Sequence, residues 1–522
     1  MSWLGDILSF PFKWRTDKRE EHVDERAGRS ELLQLIDQQI DNTKAALELT
    51  KNEEEQEALS LTIRNYRARK DLILETQIQF HVAMPNQPPP NTDALLQPMA
   101  SALIDTAEAP DAADELFSFG VALANEQQWS AAAIAFHRVQ QMNPESYEAF
   151  YNGGTCLIHA GNYDQALTAL EHAQELRPND PGILMNRGVA LRHLERYEEA
   201  LVAYNRSLEL RPDDADTIMN RGTALCLLEH NEEAITAYNR ALQFRPDHPD
   251  TLMNRGVAFD NMGRYTEAIA DHNRAYQLQP NHPDTLMNRG ITLGHLNRHK
   301  EALIDYNRAL ELRPDHANTL TSRGVTLRNL GHPEDAVVDY NRALELRPNH
   351  ADTLTNRSNA LRHLGRYKEA LADCNRALEL LPNSPAALNN RGNALSCLGQ
   401  DKEAIIDFDR ALDITHDDPD ILTNRGVALI NLERYEDALS DCNRALQLRP
   451  YHSLILYNRA RLYSLWGKPM EALDDLRRAS AGDPEYQVLA HTDSAFSNIR
   501  SDPRFQELVG AAEPPPDENE SS

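Results

Sequence analysis

Glycine is scarce in this 522-residue chain, 22 residues in all, against a usual share of about 7%. That scarcity excludes a collagen-like or glycine-rich low-complexity chain. Cysteine is scarcer still. Cys156, Cys226, Cys374, Cys397 and Cys442 are spread without a CxxC pair, so neither a disulfide framework nor a thiolate zinc site is expected, and the compartment expected is reducing. No stretch approaches the roughly 18 apolar residues that a membrane-spanning helix needs. The N-terminus lacks the basic, apolar and small-residue order of a secretory signal. Basic residues are in deficit as well: 53 Lys and Arg stand against 81 Asp and Glu, a formal charge of −28. A phosphate backbone requires a basic face, so nucleic acid is excluded as the main partner.

Against these absences stands a period. Prolines fall at Pro144, Pro178, Pro212, Pro246, Pro280, Pro314, Pro348, Pro382, Pro450 and Pro484, steps of 34 with His416 in the one missing slot. With that proline at position 32, eleven repeats begin at 113, 147, 181, 215, 249, 283, 317, 351, 385, 419 and 453 and run to 486. Position 8 is mostly glycine, Gly120 through Gly426, and position 20 is always alanine, Ala132 through Ala472. Large apolar residues hold position 4 (Leu116, Phe150, Leu184, Ile218), position 11 (Leu123, Leu191, Leu225, Phe259) and position 24 (Phe136, Tyr204, Tyr238, Tyr306, Tyr340, Phe408). Small residues facing large ones let two helices pack closely.

This pattern resembles the tetratricopeptide repeat (TPR) over about seven-tenths of the chain. The resemblance implies an all-α fold, an α-α superhelix in which helix–turn–helix repeats stack because one pair cannot bury its apolar stripe alone. It also implies a concave channel. Ser358 and Ala460 depart from the position-8 glycine, and Cys374 and Cys442 from the position-24 aromatic.

Outside the repeats, residues 30–84 predict a helical hairpin, a short coiled coil. Its heptad seam runs through Leu33, Ile36, Ile40 and Leu47 and then Leu59, Ile63, Tyr66, Ile73 and Phe80. Self-association and packing on the first repeats are equal readings of it, the first giving a homo-oligomer. Residues 1–29 carry Trp3, Leu4, Ile7, Leu8, Phe10, Phe12 and Trp14 among basic residues. Such a segment suits a peripheral membrane interface or a protein partner. Residues 85–112 read as a Pro-rich linker, 487–511 as a C-terminal capping helix region and 512–522 as a disordered acidic tail.

At about 100° per residue, core positions 4, 8 and 11 fall near 40°, 80° and 20°, while positions 2, 6, 9 and 13 fall between about 180° and 240°. A second face therefore repeats in register. Its position 6 is Asn152, Asn186, Asn220, Asn254, Asn288, Asn356, Asn390, Asn424 and Asn458, with Ser118 and Ser322 the exceptions. A carboxamide offers an acceptor and two donor hydrogens, enough to hold the C=O and N–H of an extended peptide whatever its side chains. The row resembles the asparagine ladder of O-linked N-acetylglucosamine transferases and of other peptide-cargo members of the family. A single Asn reads better as a bridge between helices; nine in register favour the channel.

Around that row stand Met185, Met219, Met253 and Met287 at position 5 and Val189, Val257, Ile291 and Val325 at position 9, an adaptable apolar floor. Arg192, Arg328 and Arg362 at position 12, with His193, His295 and His363, are candidate contacts for acidic ligand groups. With nine lysines in the chain and none at position 5 beside the asparagines, the family's carboxylate clamp is not expected.

Acidic position 2 (Asp216, Asp250, Asp284, Asp352, Asp420) reads as a helix N-cap. His248, His282, His316 and His350 read as solvated turn residues. Asp305, Asp339 and Asp373 at position 23, with Arg206 and its equivalents at position 26, read as exposed ion pairs between repeats.

No phosphate loop, GxSxG or HExxH occurs, and the flanks are too short for a glycosyltransferase domain. The reading is a non-catalytic cytoplasmic scaffold, without cofactor or metal, that holds extended peptide segments of partner proteins. Its rivals are an assembly or tethering protein acting through residues 1–84, and a regulatory or substrate-recruiting subunit of a separate enzyme.

Overall fold

A computed structural model describes Lys44 and residues 112–510. The hairpin, linker, aromatic N-terminal segment and acidic tail expected from sequence lie outside the described residues. The chain divides after Leu228 into two compact bodies. The first holds helices Ala112–Asn125, Trp129–Met142, Tyr147–His159, Tyr163–Leu176, Pro181–His193, Tyr197–Leu210 and Ala215–Leu227. The second opens with Asn231–Phe244 and continues in pairs from Pro249–Asn261 and Tyr265–Leu278 to Ser453–Leu465 and Pro469–Gly482. No strand occurs among the described residues. The fold is all-α, a solenoid of helix pairs; the first helix of each repeat spans positions 1–13 and the second positions 17–30, except that the first of all begins one residue early at Ala112 and the second helix Asp401–Thr415 ends one residue late.

Each repeat starts on a cap at position 34 of its predecessor. Asp180 Oδ1 accepts from Gly182 N at 2.8 Å and Ile183 N at 3.1 Å, and Asp418 does the same for Asp420 and Ile421. His248, His282 and His350 accept through Nδ1 from Thr251, Thr285 and Thr353 N, each at 3.3 Å. These histidines are therefore caps rather than solvated turn residues, whereas His316 reaches only the Thr319 hydroxyl, at 2.7 Å. Position 2 lies inside the first turn, where Asp250 and Asp284 meet the positive end of the helix dipole. The capping role expected of it belongs two residues earlier.

The intra-repeat turn closes on position 15 in the left-handed region. Gly365 takes φ 71°, its N–H donating to Arg362 O at 3.0 Å, while Arg366 N reaches Leu361 O at 2.9 Å. Gln127, Glu195, Glu229, Asn297 and Glu433 take the same conformation with φ between 56° and 63°. Where proline is missing, the second helix runs on to Thr415 and His416 itself turns left-handed, φ 62°.

Within each pair the position-8 glycine sits against the position-24 ring. A Cβ on Gly188 would stand 2.5 Å from Tyr204, and one on Gly324 would stand 2.6 Å from Tyr340. Two departures are matched, Ser358 with Cys374 and Ala460 with Leu476, whereas Cys442 faces the retained Gly426. In the repeat from 249 the ring is His272, fully buried on Gly256, its Nε2 3.3 Å from Asp260 Oδ2, which also accepts from the Thr292 hydroxyl at 2.6 Å. At the C-terminal end, Ala490, Phe496, Ile499 and Phe505 join the core of the last repeats, Ile455, Leu456, Leu462 and Leu476 among it.

Candidate functional site

The strongest electrostatic feature of the second body joins positions 7 and 23. Arg323 donates to both oxygens of Asp339 at 2.7 and 2.6 Å, and the same fork joins Arg255 to Asp271, Arg289 to Asp305, Arg357 to Asp373, Arg391 to Asp407, Arg425 to Asp441 and Arg459 to Asp475. The carboxylates are buried; Asp339 is 4% exposed. The same guanidinium reaches back to position 25 of the preceding repeat, Arg323 to Asn307 at 2.9 Å, Arg357 to Asn341 at 2.8 Å and Arg459 to Asn443 at 2.6 Å. Asp305, Asp339 and Asp373 are thus interior pins within a repeat, correcting their assignment to the surface.

The position-26 arginines are the exposed partners: Arg342 reaches Glu345 at 2.7 Å and Asp315 at 2.6 Å. In the first body position 23 is alanine, Ala169 and Ala203, and Arg187 turns instead to Glu171 at 3.7 Å. Sequence reasoning missed position 7; the pairing of an arginine with an aspartate sixteen residues on, in every repeat from 249 onward, was its signal.

The asparagine row lies on the first helices, between repeats. None of the nine is fully exposed, and Asn186 and Asn458 are buried. Asn186 Nδ2 donates to Thr155 Oγ1 of the preceding repeat at 2.8 Å. Asn390 Nδ2 donates to Thr355 O at 3.0 Å and Ser358 Oγ at 3.3 Å, and Asn424 Nδ2 to Asn389 Oδ1 at 2.9 Å. These three bridge first helix to first helix, and the bridge sets the orientation of the carboxamide.

Met185, Met219, Met253, Met287, Val189, Val257, Ile291 and Val325 are half-buried beside the row. Met185 and Val189 pack on the Leu191 and Tyr204 core, and Met287 and Ile291 on Leu293 and Tyr306. Arg192, Arg328 and Arg362 are half-buried at the ends of their helices. His193 and His295 are exposed and stack on Tyr163 and Tyr265 of the preceding repeat with centroids 4.3 and 4.8 Å apart. Trp129 and His159 form the same stack. No grouping of His, Cys, Asp or Glu suited to a metal ion, and no helix long and apolar enough to cross a membrane, occurs among the described residues.

Family models described as tetratricopeptide repeat match residues 123–185, 159–215, 247–315, 283–349, 349–415, 419–452 and 442–474, and one described as TPR repeat matches 222–263. The chain belongs to the tetratricopeptide repeat family. This TPR protein is similar to a tetratricopeptide repeat protein from Parabacteroides merdae ATCC 43184, at 18% identity over 48% of this chain and 99% of that one, with a TM-score of 0.40. Similarity extends to the APC/C hetero-tetramer Cut9–Hcn1, at 14% identity over 89% and 98% of the two chains, TM-score 0.47. It extends also to YrrB, described as a TPR protein with an unusual peptide-binding site, at 24% identity over 36% and 97%, TM-score 0.29. No curated protein matches the chain. Family membership makes it a protein-interaction scaffold on a fold that is generally non-catalytic.

Proposed function

We propose that the first-helix face holds extended segments of partner proteins, the carboxamide row gripping their backbone and the Met and Val floor their apolar side chains. The observation that supports this most directly is the bridge made by Asn186, Asn390 and Asn424. Each donates amide hydrogens to the preceding repeat and so arrives oriented, the carboxamide oxygen being the group offered to a ligand N–H. Pre-orientation lowers the entropy lost on binding. The half-buried methionines adapt to varied side chains, and fixed carboxamides supply polar contacts indifferent to sequence.

The test uses the full chain, immobilised, and degenerate twelve-residue peptide pools. Wild type is expected to retain peptide, and a variant carrying Asn220→Ala, Asn254→Ala and Asn288→Ala to retain several-fold less at an unchanged helical signal. Undiminished retention by that folded variant would sink the reading.

A further inference from the structure

Most of the described arginines from residue 255 onward meet a carboxylate. Position 7 is forked onto a buried aspartate, position 26 meets carboxylates across the repeat, and Arg196, Arg298 and Arg366 at the intra-repeat turns meet a glutamate three residues on. Arg328 and Arg362 do not conform, and unlike the exposed Arg347 and Arg410, which meet Asn318 and the Pro382 carbonyl, they are half-buried; Arg192 holds the same position in the first body, on His193. Arg328 and Arg362 occupy position 12 of consecutive repeats, and among the described residues neither has a carboxylate within ion-pair distance. Arg328 reaches only the Asn329 amide oxygen, at 3.2 Å. Arg362 reaches Asn359 at 3.4 Å and the ring of His363 at 3.3 Å.

Positions 5 and 9 beside them are uncharged. Position 5 changes from methionine in the two repeats before to Thr321 and Thr355, and position 9 becomes Asn359 and Asn393. Asp401, on the following repeat, is taken by Ser396 at 2.5 Å and Asn431 at 3.1 Å. Burial, with the Arg362 and Arg328 charges adding to it, holds His363 below its ordinary value. The helix dipole favours a cation at each helix end but leaves its charge unbalanced toward solvent. In a chain of −28, two adjacent uncompensated cations on the face assigned to ligand are a standing demand for an anion.

We propose that Arg328 and Arg362, with Asn359 and His363, form a subsite for one anionic side chain, a carboxylate or a phosphate ester, of the segment bound along the second body. Guanidinium forks suit both groups. Upstream of it, Met253, Val257, Met287, Ile291 and Val325 line an apolar stretch. The segment preferred here therefore carries apolar residues along that stretch and an acidic or phosphorylated residue where the floor turns polar. This deepens the groove reading and rests on it.

The full chain is challenged with degenerate twelve-residue pools fixed at one central position as Ser, Glu or phosphoserine. Wild type is expected to bind the Glu or phosphoserine pool about fivefold more tightly than the Ser pool, the stronger of the two naming the source of the anion. The preference should shrink in added salt. The Arg328→Gln/Arg362→Gln variant should lose it while holding the Ser pool as before. Bound anionic peptide should also slow alkylation of the exposed Cys397, which lies close enough to Arg362 to feel its charge. Equal binding of all three pools, or a charge preference that survives the double substitution, overturns the subsite and leaves the groove standing. Failure to retain any pool overturns both.

Discussion

Arg323 and Asp339 face each other across one helix pair through two parallel hydrogen bonds of 2.7 and 2.6 Å. The carboxylate side chain is 6% exposed and the guanidinium side chain 25%. Their fork is buried, so removing one partner leaves an uncompensated interior charge. Asp339→Ala is expected to cost on the order of 3 kcal/mol in its repeat, and Arg342→Ala, whose partners Glu345 and Asp315 are exposed, under about 1 kcal/mol. Urea unfolding followed repeat by repeat through hydrogen exchange measures both; equal costs would return Asp339 to the surface role.

How much of this was legible follows from spacing. The 34-residue period and the facing of positions 8 and 24 are written in residue type, and they carried the helix pairs. The Arg323–Asp339 fork links two helices sixteen residues apart, a separation that no single-helix phase contains, so Asp339 passed for a surface acid. Cap and first-turn acids differ by two positions, and both Asp418 and Asp420 are aspartate, so type alone placed the cap two residues late. The left-handed turn hid behind Glu195 and Glu433, which carry no glycine signature. The asparagine row emerged from phase alone, but its partners, Thr155 for Asn186 and Thr355 for Asn390, sit a full repeat away.

The matched departure of Ser358 with Cys374 predicts a coupling that can be measured. Gly324→Ser alone drives a Cβ to 2.6 Å from the Tyr340 ring and is expected to destabilise by about 1–3 kcal/mol as overpacking. Tyr340→Cys alone opens a cavity beneath a glycine. The double variant reproduces the natural pair of the next repeat and should cost at least about 1 kcal/mol less than the sum. Additive costs in a double-mutant cycle would show the pairing to be coincidental.

Glu433 holds φ 59° at the turn position where other repeats have glycine, and a side chain at those glycines meets nothing within 4 Å. Backbone strain, free of any steric clash, is therefore the whole penalty. Glu433→Gly is expected to stabilise by up to about 1 kcal/mol, and Gly365→Glu to destabilise by a similar amount. Opposite signs in paired thermal melts check the argument.

Acid should loosen the array before it protonates most carboxylates. Burial, with nearby arginines adding to it, holds His193, His316 and His363 below their ordinary 6.5. A base lowered in the fold is favoured neutral there, so its contribution is complete above about pH 6.5 and is lost as pH falls from that value toward the folded one. The thermal midpoint is expected to fall between pH 7.5 and 5.5, and less so in His316→Asn. A flat profile over that range would remove histidine from the account.

Thiol chemistry gives the most direct view of the solenoid's interior. Burial pushes Cys156 and Cys442 up to about 12 and Cys374 up to about 11. Since the thiolate is the nucleophile, these three are doubly protected, by protonation and by packing. Cys397 is exposed at the end of its helix, and its rise is smaller because Arg362 opposes the desolvation. Iodoacetamide at neutral pH should therefore label Cys397 well before Cys156, Cys374 or Cys442, with peptide mass spectrometry reading the order. Early labelling of Cys374 would mean that the Ser358 repeat opens locally, and that the smaller pair is bought at the expense of rigidity beside the Arg328 and Arg362 face.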